Sequence, residues 1–535
     1  MKTKLIKFYV LLALVIVGLQ QVVLSAEKPN ILFIFSDDHA LRTIGAYNPD
    51  FNGTPNIDRL AKDGAVFTRS YCENSICQPS RAAILTGKFS HMNGMWSNGS
   101  PWNNKQQVFS RLLGTAGYQT ALIGKWHMKP FPSNEFDYHK TLTANGEQGR
   151  YYNPAFVAHD GSTIVEKGYS TDVITRESIE WMENRDKDKP FMLMCQYKAP
   201  HTNVMPPLRN LGMYNDGDIP IPSSYFDDFS GRNKYIKKSW MSMHGMKSPG
   251  VVKITPPYGK YQLPKQVPGP KQQYRGDFAF LANLTEDERK AWHEHYDPVN
   301  DDYRARVESG ELAGNKMAEY RYQRYVKDYM RVVGAVDENI GRLLDWLEQN
   351  DLAENTIVIY SSDQGFFLGE HGLTDKRLMY EESLSMPFII RWPGKIDPGQ
   401  RIDAMIQNID YAPTFLHIAG VEIPEDIQGK SLVPLFDGDA PDDWRDSIYY
   451  HYYQNTAYNL PKIEGVRTDR YKLIRYYDHL KFDLGEQWEM FDLKKDPNEM
   501  NSVYDNPDYK VIQDDLTEEL QRLRRQYKVP VAENS

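Results

Sequence analysis

The sequence predicts an α/β fold: a doubly wound, mostly parallel central sheet, followed by a smaller C-terminal α+β subdomain that carries an antiparallel sheet. Three observations lead there. Short apolar runs, rich in β-branched and aromatic residues, alternate with helical patterns along most of the chain, as strands buried on both faces of a parallel sheet do. Acidic or basic residues stand immediately after several of those runs, where open α/β sheets place their sites. From about residue 441 the pattern changes to alternation of period two.

The elements follow in order. Residues 1–26 read as a signal peptide: Lys2, Lys4 and Lys7 precede the apolar run from Phe8 to Leu19, and Leu24-Ser25-Ala26 ends in a small residue for cleavage. The run is shorter than the ~20 residues of a membrane span, so the expectation is an exported protein, periplasmic or secreted, with no span after cleavage. Pro29 to Ser36 is the first buried strand and ends in Asp37-Asp38, adjacent carboxylates whose repulsion a cation between them relieves. Thr54 to Ala61 reads as a helix capped by Thr54 or Asn56, and Ala65 to Tyr71 as a strand.

In the stretch Cys77 to Gly87, Pro79 suits the first helical position and Gly87 the stop. Cys77 is then expected just before the first turn, where free N–H groups favour an anion, and Arg81 adds positive charge one turn on. Phe109 to Gly117 is a helix, and Gln119 to Gly124 a strand that ends in Lys125-Trp126-His127. A helix near Thr171 to Asn184 precedes the strand Pro190 to Tyr197, which ends in Lys198-Ala199-Pro200-His201. One such histidine is weak evidence; several charged residues at successive strand ends build one site.

Residues 202–315 carry Pro-Pro pairs, many Tyr, Lys and Asp, and little periodicity. They read as an irregular insertion over the mouth of that site, with Pro256 to Pro270 an extended loop. Tyr320 to Asn350 is the clearest helix, with apolar residues three and four apart. Thr356 to Tyr360 is a buried strand ending in Ser361-Ser362-Asp363-Gln364-Gly365, Met386 to Arg391 is another, and Asn408 to Thr414 opens the last helix of the main domain, 27–440. In the subdomain 441–535, Gly465 to Tyr477 and Trp488 to Leu493 form the small sheet and Tyr509 to Tyr527 a closing amphipathic helix.

With 535 residues, 41% of them hydrophobic, the chain can bury a large core. A net charge of −9 argues against a nucleic-acid partner, yet permits an anionic substrate, since only the pocket must be positive. Three cysteines, Cys72, Cys77 and Cys195, are too few for a disulfide-stapled exported protein. Cys72 and Cys195 are either bridged or buried as small hydrophobes. On the local residues alone, Cys77 is a nucleophile beside an anion-binding helix start, a disulfide partner of Cys72, or a buried thiol.

Cys77-Gln78-Pro79-Ser80-Arg81 followed by Leu85-Thr86-Gly87 resembles the signature of the type I, formylglycine-dependent sulfatases of the alkaline phosphatase superfamily. The resemblance runs from Pro29 to the Asp-Pro turn at Asp496. It implies that a maturation enzyme oxidises Cys77 to Cα-formylglycine and that the protein hydrolyses sulfuric esters. Carried over position by position, it implies a divalent metal held by Asp37, Asp38, Asp363, Gln364 and the modified residue 77; these hard oxygen ligands suit Ca²⁺ or Mg²⁺. Arg81, Lys125 and Lys376 would neutralise the sulfate. His201 would be the acid for the leaving alcohol, with Lys376 as its rival, and His127 the base that releases sulfate.

The run Gly365 to Gly372, continued through Glu381-Glu382-Ser383, resembles sulfatases of bacterial glycan degradation. The overall pattern most resembles N-acetylglucosamine-6-sulfatases acting on glycosaminoglycan or mucin sugars, which makes Asp375, Arg377 and His451 candidate contacts to a sulfated saccharide. Iduronate-2-sulfatases and choline sulfatases share the layout. Two other classes compete: a formylglycine-dependent phosphodiesterase or phosphonate hydrolase, and a non-catalytic glycan-binding protein with unmodified Cys77.

Overall fold

The computed structural model describes residues 28–51, 53–144, 147–246, 281 and 283–530; the leader 1–26 and the loop Pro256 to Pro270 lie outside them. Ten strands form the main sheet: β1 (Asn30–Asp37), β2 (Ala65–Phe67), β3 (Gln119–Gly124), β4 (Tyr138–Leu142), β5 (Ala155–Ala158), β6 (Thr163–Val165), β7 (Phe191–Pro200), β8 (Thr356–Ser362), β9 (Phe388–Arg391) and β10 (Gln400–Ile402). Their order is β10-β2-β9-β8-β1-β7-β3-β4-β5-β6. The centre, β8-β1-β7-β3-β4, is parallel throughout, and β9, β5 and β6 make the flanks antiparallel. β1 is buried at all eight positions, which is why its sequence is a continuous apolar run rather than an alternating one.

Helices cover both faces. Those described here are α1 (Pro55–Lys62), α2 (Cys77–Thr86), α3 (Ser170–Asn184), α4 (Glu286–Glu308), α5 (Gly314–Gln349), α6 (Tyr411–Ile418) and α7 (Lys510–Gln526). The two cores lie on opposite sides of the sheet, one with Phe33, Phe35 and Phe388 around α2 and α6, the other with Leu32, Ile34 and Tyr360 around α3 and α5. The strand expected from Ala65 to Tyr71 is divided: Ala65–Phe67 joins the main sheet, while Ser70–Tyr71 pairs with Ile406–Gln407.

A second sheet, β11 (Ser447–Tyr452), β12 (Lys462–Thr468), β13 (Tyr471–Tyr477) and β14 (Gln487–Asp492), is antiparallel and is covered by α7. It is stitched to the main domain by buried charge: Lys472 lies 2.8 Å from Glu381 and 2.7 Å from Glu499.

Thr54 stands at the cap position of α1 but makes no side-chain cap bond. Asp337 on α5 caps α1 instead, its Oδ1 accepting from the N–H groups of Asn56 at 2.9 Å and Ile57 at 2.8 Å. Asp337→Ala therefore removes the acceptor of two backbone donors, a half-buried one at Asn56 and a buried one at Ile57, and is expected to cost about 2 kcal/mol, seen as a lower urea midpoint with an unchanged slope.

The region 202–315 is less irregular than its sequence suggests. It contains α4, 23 residues long, opened by a capping box between Thr285 and Glu288. The buried face of α4 is Trp292, His293, Tyr296, Asp297 and Asn300, so polar side chains sit in the stripe where apolar ones are looked for, and Pro298 lies inside it. The capping box was the available signal.

Candidate active site

Four adjacent strands deliver charged residues at their carboxyl ends. β1 ends in Asp37, β8 is followed by Asp363 and Gln364, β3 by Lys125 and His127, and β7 by His201. The register between β1 and β7 shifts between Phe35 and Asp37, a bulge of the kind that re-aims side chains beside sites. Asp38 follows with φ +64°, a conformation tolerated by Asp. Tyr329 of α5 clamps it, its hydroxyl donating to the Asp38 carbonyl and accepting from Ala40 N–H at 2.8 Å.

α2 begins at Cys77 itself, so Pro79 is the third helical residue rather than the first. Its missing N–H still costs nothing there, because first-turn donors have no partner within the helix. Gly87 ends the helix at φ +67°. Cys77 is fully buried, with Sγ 3.5 Å from Asp37 Oδ1. Cys72 and Cys195 are free and buried, not bridged.

Oxygens of Asp37, Asp38 and Asp363 come within 4.8 Å of one another, all buried. Gln364 joins them: its Nε2 donates to Asp38, and its Oε1 is buried without a donor. Three carboxylates and an orphaned amide oxygen make a hard-oxygen set that fits Ca²⁺ or Mg²⁺. Burial, with Asp363 and Asp375 adding to it, pushes Asp38 up to about 6 against the pull of Lys376.

The cations close around this set. Lys125 Nζ contacts Asp37, and Lys376 Nζ lies 2.6 Å from both oxygens of Asp38. Burial works against the charge on Lys376, but Asp38 overrides it and holds the ammonium charged above its ordinary range. Arg81 is turned onto the carboxylates, 3.1 Å from Asp363 and 3.4 Å from Asp37, and its NH1 donates to Gln196 Oε1 at 2.6 Å. Its guanidinium thus pairs with two members of the acidic set. His127 and His201 are driven well below the ordinary histidine range, first by burial and then by nearby lysines. His201 Nδ1 donates to the Thr202 carbonyl, and its Nε2 faces Asp38 Oδ2 at 3.7 Å.

Asp375 and Arg377 flank Lys376 with φ +81° and +90°, left-handed backbone of the kind that marks functional loops. They pair with each other, and the Arg377 guanidinium lies 3.6 Å over the Tyr458 ring. His451 does not join them. Its Nδ1 is bonded to the Tyr449 hydroxyl at 2.9 Å and its Nε2 to the Tyr477 hydroxyl at 2.8 Å, so both nitrogens are committed inside the C-terminal sheet.

Several residues escaped the sequence reading. Lys198, named in the sequence only as a charged residue at a strand end and given no role, lies within β7 and in the same charge cluster, with burial pushing it down to about 8. Asn408 donates to Ser80 Oγ at 2.8 Å, and Ser80 donates to the Asp363 carbonyl. Neither bond, nor the Tyr329 clamp, has a local signature.

A family model of sulfatases matches residues 29–421. The chain belongs to the sulfatase family. A second model, the C-terminal region of N-sulphoglucosamine sulphohydrolases, matches residues 369–526 of this sulfatase-family chain. It is 43% identical to an N-acetylglucosamine-6-O-sulfatase of Bacteroides thetaiotaomicron, over 94% of this chain and 88% of that protein. It is 24% identical to an arylsulfatase of Clostridium perfringens, over 90% and 92%. A solved structure in complex with its substrate D-glucosamine-2-N,6-O-disulfate superposes with a TM-score of 0.87 at 43% identity, covering 94% of this chain and 98% of that one. A phosphonate monoester hydrolase from Silicibacter pomeroyi shares the fold at 20% identity and a TM-score of 0.66, over 93% and 96%.

Behind the site, Glu73 is buried and accepts from Ser90 Oγ at 2.8 Å. Burial pushes its carboxyl up from 4.5 to about 8, against the pull of the Ser90 bonds. A raised folded-state value means stability is full below 4.5 and is lost as pH rises toward 8. Glu73→Gln, which stays neutral, is expected to gain melting temperature over wild type progressively across that window, read by thermal scans at fixed ionic strength.

Proposed function

We propose that the protein hydrolyses the 6-O-sulfate of N-acetylglucosamine, or of a related glucosamine, in a glycosaminoglycan or mucin glycan, after Cys77 has been converted to formylglycine by a maturation enzyme. The observation that carries the reading is the buried convergence of Asp37, Asp38, Asp363 and Gln364 with Lys125, Lys198 and Lys376 around residue 77. The 43% identity to an N-acetylglucosamine-6-O-sulfatase over nearly the whole chain supports the choice of sugar.

When present, the formylglycine supplies a hydrated aldehyde hydroxyl as nucleophile, and the divalent ion, Ca²⁺ or Mg²⁺, screens the sulfate charge and lowers that hydroxyl's pKa. Asp37, Asp38, Asp363 and the Gln364 carbonyl would hold the ion. Lys125 and Lys376 stabilise the charge on the transferring group in a dry site, where fixed cations act most strongly. Lys376, held charged by Asp38, and His201, through Nε2, face the leaving oxygen as proton donors. The negative charge of a bound sulfate raises His201 toward protonation. His127, neutral here, accepts a proton at the residue-77 oxygen so that sulfate leaves. Asp375 and Arg377 contact sugar hydroxyls beside the ester.

The test is turnover of a panel of sulfated sugars, an aryl sulfate and an aryl phosphate by matured protein. The expected order places 6-sulfated N-acetylglucosamine first among the sugars and sulfate well ahead of phosphate. Equal or faster phosphate turnover makes the protein a phosphoester or phosphonate hydrolase. No turnover despite formylglycine at residue 77 makes it a glycan-binding protein.

A further inference from the structure

Trp240 is 70% exposed, yet the backbone ties it to the loop that carries Lys376. Ser242 bridges Leu373 in antiparallel register. The Thr374 N–H donates to the Met241 carbonyl at 2.8 Å, and the Met243 N–H to the Gly372 carbonyl at 2.7 Å. Trp240 directly precedes Met241 in this paired segment. The Trp240 N–H donates to the Tyr458 carbonyl at 3.2 Å, and it is the Tyr458 ring that carries Arg377.

The loop between β13 and β14 closes the far side. Lys481 Nζ lies 5.7 Å from the centre of the indole ring. Leu480 beside it is also 70% exposed, and Lys237 and Lys238 are exposed just before Trp240. The loop's acidic residues are Asp478, which pairs with Lys462 at 2.6 Å, Glu486, which pairs with Arg475, and Asp483.

A single exposed apolar residue needs no explanation. A tryptophan whose backbone is bonded to the residue that carries Arg377, and which is bordered by lysines from two separate segments, is a different matter. The indole face suits the apolar C–H face of a pyranose, and the lysines complement carboxylate or sulfate groups on it. Tyr458 thus links Trp240 to Arg377, the neighbour of Lys376, so Trp240 adjoins the segment where the cleaved residue would bind.

We propose that Trp240 and Lys481 form an outer subsite that stacks the next sugar of an anionic glycan, a uronate or sulfated pyranose, beside the residue whose sulfate is cleaved. This rests on the sulfated-glycan reading of the central site, and the experiment separates the two. Calorimetry on Cys77→Ala protein, with and without Trp240→Ala, compares 6-sulfated N-acetylglucosamine with a tetrasaccharide alternating uronic acid and 6-sulfated N-acetylglucosamine. The expected result is a fall of about tenfold in the ratio of tetrasaccharide to monosaccharide affinity, the scale of one aromatic anchor. Trp240→Phe should restore most of it, and Lys481→Ala should flatten the salt dependence of tetrasaccharide binding. An unchanged ratio overturns the subsite, whether Trp240→Ala weakens both sugars equally or neither. If matured wild-type protein hydrolyses neither sugar, the sulfatase reading falls, and tetrasaccharide binding with and without Trp240 still decides the subsite.

Discussion

Alanine at position 77 is expected to lower kcat on an aryl sulfate by roughly 10⁴-fold or more, the scale of deleting a covalent nucleophile. The loss is chemical rather than structural, because the side chain removed is small and α2 keeps its start at Ile76 and its stop at Gly87. The unmodified thiol is a poor alternative. Burial, with Asp363 and Asp38 adding to it, pushes Cys77 up to about 12, and Lys376 and Arg81 do not bring it back. Thiolate is therefore scarce at neutral pH. Peptide mass spectrometry across residue 77 of the wild type should show oxygen in place of sulfur with two hydrogens lost. Retention of more than a tenth of wild-type activity by Cys77→Ala would place the nucleophile elsewhere.

Asp363→Asn should be the next most damaging change, lowering kcat by roughly 10³-fold, at the upper end of what one oriented charge contributes. Asparagine keeps the shape and the Oδ1 that accepts Asp38 N–H at 3.1 Å, but removes the charge shared with Arg81. A chelator should produce a comparable loss in the wild type, reversed by Ca²⁺, together with a drop in melting temperature that added Ca²⁺ restores. In the variant, Ca²⁺ should restore neither. A chelated wild type with full activity and unchanged melting temperature sinks the metal assignment.

What the sequence made legible was local. Apolar runs ending in Asp37, Lys125, His201 and Asp363 signalled four strand ends, and those strands prove to be neighbours. Pro79 and Gly87 announced α2 to within two residues of its start. What stayed hidden depends on distant partners. Asp337, 281 residues away from Asn56, caps α1, and Tyr329, 291 residues from Asp38, clamps its carbonyl. The bulge after Phe35 exists only in the pairing of β1 with β7. His451 misled for the same reason: an aromatic stretch with a histidine looks like a ligand wall until its nitrogens are found on Tyr449 and Tyr477.

The burial of Cys77 sets an order of events in the life of the chain. Its side chain is wholly enclosed beneath Asp37 and the first turn of α2, among residues drawn from sequence positions as far apart as 37 and 376. Another enzyme cannot grasp that peptide once those segments have met. On the proposed conversion of Cys77, oxidation would therefore belong to the nascent, still-extended polypeptide, with collapse of the sheet as the deadline. Molecules that folded first would then be well packed but inert, and the yield of active protein would be set by a race between modification and folding.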